Sequence, residues 1–311
     1  MLGTTFSTRD LAALLSVTET TVKRWADEGE IRCSKTLGGH RKFTLKDVIA
    51  FAEKHDYSLP GLLPPKGPGR EAEQLEFNIQ TGNYIRIADM VRDKALSGDA
   101  EGLTEILLHL LRHHIGIALI ADEIVRPAMV RIGDLWKEGT LAITEEHIAS
   151  HAILETILRV APELHRKPAN GRTAVFAGAE GDLHEIGLRL AACAFETDGW
   201  KVIYIGANTP FATLRSYVLS ARADLLCLSC TLATGADGLL GELQSLGTLC
   251  RSGKTAFVCG GFSSGGHAAA DLGCDYITTS VRDALQYARD IFALKPGPKP
   301  TRRVSVPIME H

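Results

Sequence analysis

The composition of the chain is that of an ordinary globular protein. It has 311 residues, of which 45% are hydrophobic and 23% charged, and a formal net charge of -3 at pH 7. This length predicts roughly two or three domains. No apolar run reaches the roughly 20 residues that a membrane-spanning helix needs, and the first ten residues lack the layout of a signal peptide, so we expect a cytoplasmic protein. The seven cysteines are odd in number and scattered, which argues against a disulfide framework.

Residues 1–57 are predicted to form a basic, helix-rich domain. The stretch FSTRDLAALLSVTETTVKRWADEGEI has the pattern of a helix, a tight turn and a second helix. Ser7 or Thr8 can begin the first helix and Thr18 the second, because short hydroxyl side chains cap helix N-termini. The stretch KTLGGHRKFTLKDV, which follows, is typical of a tight hairpin with two glycines at its tip.

This combination of two helices and a hairpin resembles the winged-helix DNA-binding domain of MerR-family regulators, with GGHRKF as the wing. The resemblance implies that the second helix reads bases in the major groove and that the wing meets the DNA backbone. A small helical interaction domain with a solvated basic face is the alternative. The candidate DNA contacts are Thr20, Thr21, Lys23 and Arg24 on the second helix and Gly39, His40 and Arg41 in the wing.

A linker and a helical region follow this domain. Residues 58–70 contain four prolines and three glycines, which is typical of a semi-stiff linker. Between residues 71 and 165, apolar residues recur at three- and four-residue spacing in four stretches and predict a four-helix bundle. The stretches are EQLEFNIQTGNYIRIADMVRDKAL, EGLTEILLHLLRHH, GIALIADEIVRPAMVRIGDLW and TEEHIASHAILETILRV.

In residues 171–294 the pattern changes to short apolar runs that alternate with helical stretches. The runs are TAVFAGA, KVIYIGA, ADLLCLSC, KTAFVCGG and CDYITTS. Five strands, each followed by a helix, predict a doubly wound, Rossmann-like parallel sheet. Residues 295–311 are rich in proline and lysine and predict a disordered tail. The predicted fold class is therefore multidomain α and α/β: a winged helix-turn-helix, a four-helix bundle and a five-stranded Rossmann-like sheet.

The stretch EGDLHEIGLRL begins where the first of these strands gives way to a helix. It places Asp182, His184 and Gly187 at the carboxyl edge of the sheet, where α/β folds bind ligands. A neutral imidazole is a good ligand for a transition metal such as cobalt, and an acid that accepts its second ring proton fixes its tautomer. The alternative is that Asp182 caps a helix and His184 is an exposed surface residue.

Two further elements end at the same edge of the sheet. Ser229 ends the third strand in LSCT, and Gly260 and Gly261 end the fourth in VCGGFSSGG. Together with Asp-x-His-x-x-Gly, these motifs resemble the cobalamin-binding domain of methionine synthase and of adenosylcobalamin mutases. The resemblance implies that His184 binds cobalt from below, that Asp182 accepts its second ring proton and that Ser229 supports the acid. Gly187, Gly260 and Gly261 would let the nucleotide tail of the cofactor pass against bare backbone.

A further motif lies in the helical region, in LWKEGTLAITEEH. Trp136 is followed after nine residues by Glu146 and His147. This spacing resembles the signature of the cobalamin-dependent light-sensing repressors called CarH or LitR. The resemblance implies that Trp136 covers the adenosyl group of adenosylcobalamin, that Glu146 and His147 hydrogen-bond to it and that Ile143 packs nearby. The alternative is that Trp136 belongs to the bundle core and Glu146 is an acid at the start of a helix.

The order of MerR-like reader, bundle and cobalamin sheet resembles that family along nearly the whole chain. The resemblance implies a transcriptional repressor rather than an enzyme, which binds adenosylcobalamin and operator DNA as a homotetramer in the dark and is released when light cleaves the cobalt–carbon bond. One alternative is a regulator that senses cobalamin abundance or redox state without light. Another is a corrinoid protein that carries methyl groups for a methyltransferase, which would have no use for a winged helix.

One position departs from the pattern of the family. In its best-known members a histidine directly follows the tryptophan and binds cobalt after photolysis, whereas Lys137 stands there in this chain. A protonated lysine cannot ligate a metal. We therefore expect an illuminated form that differs from the two-histidine form of the family, with water or another histidine at the cobalt. The candidate histidines are His109, His113, His114 and His147.

Overall fold

The chain divides into two compact units, Met1–Ile87 and Ala88–His311. The computed structural model describes residues 5–36, 38–55, 57, 70–231, 238–261 and 268–293. Nearly all of the predicted linker, at 58–69, and the predicted tail, at 295–311, lie outside the described residues. Within the described part of the chain, no helix is long and apolar enough to cross a membrane.

The first unit contains a helix-turn-helix and an antiparallel sheet of three strands. Its elements are β1 (Thr5–Ser7), α1 (Thr8–Leu14), α2 (Glu19–Asp27), β2 (Ser34–Lys35), β3 (Arg41–Thr44), α3 (Leu45–Lys54) and α4 (Glu71–Thr81). Ser7 caps α1 and Thr18 caps α2, each by accepting a backbone N–H of the first turn. The two helices begin where their hydroxyl residues predict.

The sheet of the first unit contains the predicted hairpin and one unpredicted strand. β3 lies in the middle and pairs with β1 and β2, and Gly39 has a φ of 77° at the hairpin tip. The sequence does not predict β1, because three residues are too few to show an alternating pattern. Leu11, Val22 and Phe43, from α1, α2 and β3, are fully buried in one small core.

The helical region continues with more elements than predicted, because two of the four predicted helices are divided. They are α5 (Tyr84–Leu96), α6 (Ala100–Arg112), α7 (Ile117–Ile120), a π-helical turn (Ala121–Val125), α8 (Arg126–Lys137) and α9 (Ile143–Val160). The first predicted helix is split because Gly82, at a φ of 67°, ends α4 in the left-handed conformation. The third is interrupted near Pro127, which has no N–H for the helical ladder and lies in the first turn of α8, just after the π-helical turn.

The helices of the second unit pack through apolar and charged contacts. α6 and α9 lie against each other, and the Thr156 hydroxyl of α9 donates to the Ala100 carbonyl of α6 at 3.3 Å. Asp89 on α5 pairs with Arg131 on α8. Leu103 and Ile153 are almost completely buried. Helices far apart in sequence are thus joined into a bundle.

The rest of the second unit is a parallel sheet flanked by helices. Its elements are β4 (Thr173–Gly178), α10 (Ile186–Thr197), β5 (Lys201–Gly206), α11 (Phe211–Ala221), β6 (Leu225–Ser229), α12 (Leu239–Gly253), β7 (Ala256–Gly260), β8 (Tyr276–Thr278) and α13 (Val281–Ala293). The five strands have the order β5-β4-β6-β7-β8, and every neighbouring pair is parallel. The predicted Rossmann-like sheet is confirmed. The prediction of a helix after every strand is not met by the described residues between β7 and β8, which are Gly261 and residues 268–275.

Both faces of this sheet are covered. Val175 and Leu226 pack towards α11 and α12, whereas their neighbours Phe176 and Leu225 pack towards α10 and α13, since consecutive strand residues point to opposite faces. The strand order changes direction between β4 and β6. In open α/β sheets, the carboxyl ends of the strands at such a point form a ligand-binding crevice.

Candidate metal centre and nucleic-acid interface

The loop after β4 places an acid and an imidazole at the carboxyl ends of β4 and β6. Asp182 is 1% exposed, whereas the side chain of His184 is 76% exposed. The Nδ1 atom of His184 lies 2.8 Å from Oδ1 of Asp182 and 2.7 Å from the hydroxyl of Thr231, which follows β6. Because the protein engages Nδ1, the exposed ring presents Nε2 to a ligand.

Asp182 is held as a carboxylate by several donors. It accepts the backbone N–H of His184 at 3.0 Å, the backbone N–H of Thr231 at 2.5 Å and the Thr231 hydroxyl at 2.8 Å. Burial acts to raise the pKa of Asp182, but the hydrogen bonds from His184 and Thr231 outweigh it and leave that pKa below its ordinary value. The hydrogen bond to Asp182 raises the pKa of His184 against the opposing effect of burial.

The hydroxyl that supports Asp182 belongs to Thr231 and not, as the resemblance implies, to Ser229. Ser229 is the last residue of β6, and its carbonyl accepts the Ala179 N–H at 2.8 Å. Thr231 lies two residues further, where the chain has left the strand and reaches the loop after β4. The stretch LSCT contains both hydroxyl residues, and the sequence alone does not distinguish them. The point where the strand ends decides which of the two reaches Asp182, and the prediction therefore missed Thr231.

Asn208, which the sequence analysis also missed, fixes the backbone around Asp182. Its N–H donates to the Asp182 carbonyl at 2.9 Å, and its side-chain oxygen accepts the Gly181 N–H at 2.8 Å. Its φ of 49° is left-handed, a conformation that asparagine tolerates. The residue at the start of α10 is Glu185, and it makes no side-chain capping bond. The alternative in which Asp182 caps this helix is therefore wrong.

The predicted glycines differ in what surrounds them. Gly187 lies in the first turn of α10, and a Cβ atom on it would meet nothing within 4 Å. Gly260 is the last residue of β7. Gly261 has a φ of 89°, and a Cβ atom on it would lie 3.0 Å from the Cys230 carbonyl oxygen. Gly187 thus borders open space, whereas Gly261 is required by its own backbone and by the close strand end.

The tryptophan motif lies where α8 ends and α9 begins. Trp136 and Ile143 are 46% and 54% exposed, so the alternative that Trp136 is bundle core is wrong. The Glu146 carboxylate accepts the Ser150 hydroxyl at 2.6 Å and lies 2.7 Å from Nδ1 of His147. Large exposed apolar side chains beside a few polar groups are typical of a ligand-binding surface.

Glu146 links this surface to the loop that holds His184. The raised pKa of His184 results mainly from its hydrogen bond to Asp182, and the charge of Glu146 adds to it. Burial acts to raise the pKa of Glu146, but hydrogen bonds from Ser150 and His147 and the charge of His184 leave it lowered. Such mutual influence requires proximity. The charges of these two side chains, almost forty residues apart in the chain, therefore act on each other.

Lys137 lies beside this surface with its side chain in solvent. The side chain is 71% exposed, and its Nζ atom lies 3.7 Å from the Asp134 carboxylate one turn earlier. An ammonium group has no lone pair for a metal. Among the candidate histidines, His109 lies in the last turn of α6 and His113 directly follows that helix, with the two ring centroids 4.8 Å apart.

In the first unit, α2 presents a polar surface. Thr20, Lys23 and Arg24 are exposed, and Thr21 is half-buried. Lys23 and Arg24 each lie 4.0 Å from an acid one turn away on the same helix. Exposed pairs at this distance are weak in water, so both cations can exchange their partners for DNA phosphates.

The wing residues differ from one another. Gly39 and His40 are exposed at the hairpin tip, whereas the Arg41 side chain is only 18% exposed. Nη2 of Arg41 lies 2.5 Å from Oδ1 of Asp27, at the end of α2. Arg41 therefore ties the wing to α2, a role that its position in a basic stretch does not reveal.

Family models match the chain in the order of its regions. A helix-turn-helix domain model matches residues 5–56, and two models described as B12 binding domains match residues 87–159 and 172–287. Trp136 lies within the first B12 match and His184 within the second.

The proteins that are similar to this chain include transcriptional repressors and corrinoid proteins. The HTH-type transcriptional repressor CarH of Myxococcus xanthus is 25% identical over 272 residues, which are 83% of this chain and 89% of CarH. The repressor CarA of the same organism is 31% identical over 142 residues, 45% of this chain and 48% of CarA. Trimethylamine corrinoid protein 1 of Methanosarcina mazei is 22% identical over 155 residues, 49% of this chain and 72% of that protein.

A solved structure of a corrinoid protein has a fold similar to that of much of this chain. The monomethylamine corrinoid protein of Methanosarcina barkeri superposes with a TM-score of 0.56 at 18% identity, covering 66% of this chain and 98% of its own. At this identity the likeness extends to the fold alone. With its match to a helix-turn-helix domain model, its matches to two B12 binding domain models and its similarity to CarH along most of both chains, the chain resembles the CarH/CarA-type regulators.

Proposed function

We propose that the protein is a light-sensing transcriptional repressor that binds adenosylcobalamin, assembles on operator DNA in the dark and leaves it in the light. One observation supports this most strongly. The His184 ring is oriented through Nδ1 by Asp182 and Thr231, is exposed around Nε2, and lies within electrostatic range of Glu146 on the tryptophan-bearing surface. This arrangement suits a cobalt ligand below a cofactor that is covered from above.

The residues of the site fit a cobalamin. The hydrogen bond from Nδ1 to Asp182 selects the tautomer in which Nε2 has a free lone pair, and a neutral imidazole is a good ligand for cobalt. The open space beside Gly187 suits a long substituent. Ser229, Gly260 and Gly261, at the ends of neighbouring strands, would line the path of the nucleotide tail. When bound, the cofactor supplies a cobalt–carbon bond that light can cleave.

The tryptophan surface would contact the upper side of the cofactor. Trp136 and Ile143 have apolar area to lose on contact with the adenosyl group, since both are about half exposed. The Glu146 carboxylate can accept hydrogen bonds from the adenosyl hydroxyls, and His147, 63% exposed, can turn towards them. These contacts depend on the adenosyl group, so we infer that its loss releases this surface.

The helix-turn-helix unit would bind DNA through α2 and the wing. Thr20 and Thr21 would contact base edges, Lys23 and Arg24 phosphates, and Gly39 and His40 the backbone beside the groove. Arg41, held by Asp27, would fix the wing against α2. Because one copy of the protein makes few contacts with DNA, a single copy should bind DNA weakly. Assembly of a homotetramer raises the affinity without any new kind of contact.

A cobalamin-sensing regulator that does not use light is the second candidate. Lys137 favours it, because the best-known members of the light-sensing family that the chain resembles have a histidine at this position. A redox-sensing regulator belongs to the same alternative. A corrinoid methyl carrier is disfavoured by the helix-turn-helix match at residues 5–56.

The test is a comparison of the purified protein before and after green light. The protein is loaded with adenosylcobalamin in darkness, and its absorption spectrum, its mass by size-exclusion chromatography with light scattering, and its binding to DNA selected from a random library are measured. We expect a larger particle and tighter DNA binding in the dark. Equal mass and affinity in both states would support the light-independent regulator, and failure to take up any cobalamin would overturn both candidates.

A further inference from the structure

Asp122 is a buried acid outside the site described above. It lies in the π-helical turn before α8 and is 2% exposed. Its carboxylate accepts the backbone N–H of Val281 at 2.7 Å and that of Arg282 at 3.1 Å. The Ser280 hydroxyl donates to it at 2.9 Å, and Nε of Arg282 at 3.1 Å. Asp122 therefore caps the start of α13 from the helical region, more than 150 residues away in sequence.

This contact is strong for a physical reason. The first N–H groups of a helix have no carbonyl partner within it, and a carboxylate there also meets the positive end of the helix dipole. With four donors and the Arg282 charge, the buried Asp122 carboxylate is fully satisfied. Replacing it with a weaker acceptor would leave buried donors without partners, which is costly.

The position of the contact matters as much as its strength. The connection between the helical region and the sheet along the chain, residues 161–172, leads into the amino end of β4, whereas Asp122 meets the chain just beyond the carboxyl end of β8. Two further contacts lie beside it: Glu123 pairs with Arg282, and Arg126 donates to the Thr279 hydroxyl at 3.4 Å. The helical region is thus attached both at the amino ends of the strands and at their carboxyl ends. The candidate cofactor site lies at the carboxyl ends.

α8 connects the Asp122 contact to the tryptophan surface. The helix begins at Arg126, and Trp136 lies near its end, a distance of about 15 Å at 1.5 Å per residue. A tilt of about 5° at the base of such a rod moves its end by about 1 Å. Small changes at Asp122 would therefore change where the indole lies relative to His184.

We propose that Asp122 is a positioning residue, which by capping α13 sets the distance between Trp136 and His184 and so the space for the upper ligand of the cofactor. The proposal rests on the proposed function, in which these two side chains lie on opposite faces of cobalamin. Asp122 is not among the residues that the proposed function places against the cobalt or the adenosyl group.

The test uses two cobalamins whose upper ligands differ in size. The dissociation constants for adenosylcobalamin and hydroxocobalamin are measured in the dark for the full-length wild-type protein, for Asp122→Asn and for Glu123→Gln. Glu123→Gln is the matched control, because it removes a carboxylate that pairs with the same Arg282 but caps no backbone N–H. We expect Asp122→Asn to bind adenosylcobalamin about tenfold more weakly than the wild type and hydroxocobalamin within about twofold of it. The control should bind both within about twofold of the wild type.

Hydrogen exchange in the cofactor-free protein gives an independent readout. The Val281 and Arg282 amides should exchange faster in Asp122→Asn and at the wild-type rate in Glu123→Gln. Equal losses of affinity for the two cobalamins would reveal a merely structural role and overturn the proposal, as would wild-type affinity for both. If the wild type binds neither cobalamin, the proposed function fails together with the role of Asp122. If the wild type binds both and only the selective loss in Asp122→Asn is missing, the role of Asp122 fails alone. Should Asp122→Asn not fold, Ser280→Ala removes one donor of the same contact and must show a smaller loss confined to adenosylcobalamin.

Discussion

The two sides of the candidate site differ in how firmly the protein holds them. On the imidazole side, Asp182 is 1% exposed, and His184 and Thr231 both donate to it. On the tryptophan side, Trp136 and Ile143 are 46% and 54% exposed. The imidazole side is therefore preorganised, whereas the apolar side chains of the tryptophan side retain exposed area that a ligand can cover. A change in the upper face of a ligand can then alter the contacts of the tryptophan side and leave those of the imidazole side unchanged.

Removal of the imidazole should have the largest effect. We expect His184→Ala to weaken the binding of both adenosylcobalamin and hydroxocobalamin more than about 100-fold, because the metal loses its protein ligand on the preorganised side. Spectrophotometric titration in the dark measures this. His165→Ala, which changes an exposed histidine at the end of the helical region, is the control. Wild-type uptake with an unchanged spectrum in His184→Ala would contradict the whole site.

Removal of the Thr231 hydroxyl, which supports the imidazole side, should have the second-largest effect. Thr231→Ala should weaken the binding of both cobalamins between about 10- and 100-fold, because Asp182 loses a hydroxyl donor and His184 a neighbour. Thr231→Ser retains the hydroxyl and should bind like the wild type. Ser229→Ala should bind more tightly than Thr231→Ala in the same titration. The reverse order would restore Ser229 as the residue that holds Asp182.

The tryptophan side should discriminate between the two cofactors. We expect Trp136→Ala to bind adenosylcobalamin about tenfold more weakly and hydroxocobalamin as the wild type does, since a small upper ligand does not reach the indole. The midpoint of thermal unfolding without cofactor should change little, because Trp136 is half exposed. Equal losses for both cofactors would mean that the indole acts on the fold, and the contrast between the two sides would disappear.

The smallest effect concerns pH and the imidazole side of the cofactor-free protein. The hydrogen bond to Asp182 raises the pKa of His184 above its ordinary value of 6.5. The stability from this pair is therefore fully present below pH 6.5 and is lost as the pH rises through the folded pKa. Urea unfolding should show that Asp182→Asn destabilises the protein more at pH 6 than at pH 9. A loss that is equal at both pH values would show that Asp182 acts only through Thr231 and the backbone.

Much of the fold could be predicted because it depends on local patterns. Five apolar runs predicted the five strands of the sheet, and the helical region was predicted from its periodicity. The interruptions were harder to predict: Gly82 and Pro127 are visible in the sequence, yet a single glycine or proline is compatible with several local structures. β1 was missed because its three residues pair with β3, a strand more than thirty residues later.

Within the site, the acid and the imidazole are neighbours in the chain, and their pairing follows from the local sequence. Asp182 and His184 are two residues apart, so a single loop carries both the acid and the imidazole that it contacts. Only the tertiary structure decided the contacts between distant segments. Thr231 reaches Asp182 across 49 residues, Arg41 reaches Asp27 across 14, and Asp122 caps α13 across 159. Such partners are selected by strand order and packing, because side chains so far apart in the chain meet only after the elements that hold them have assembled.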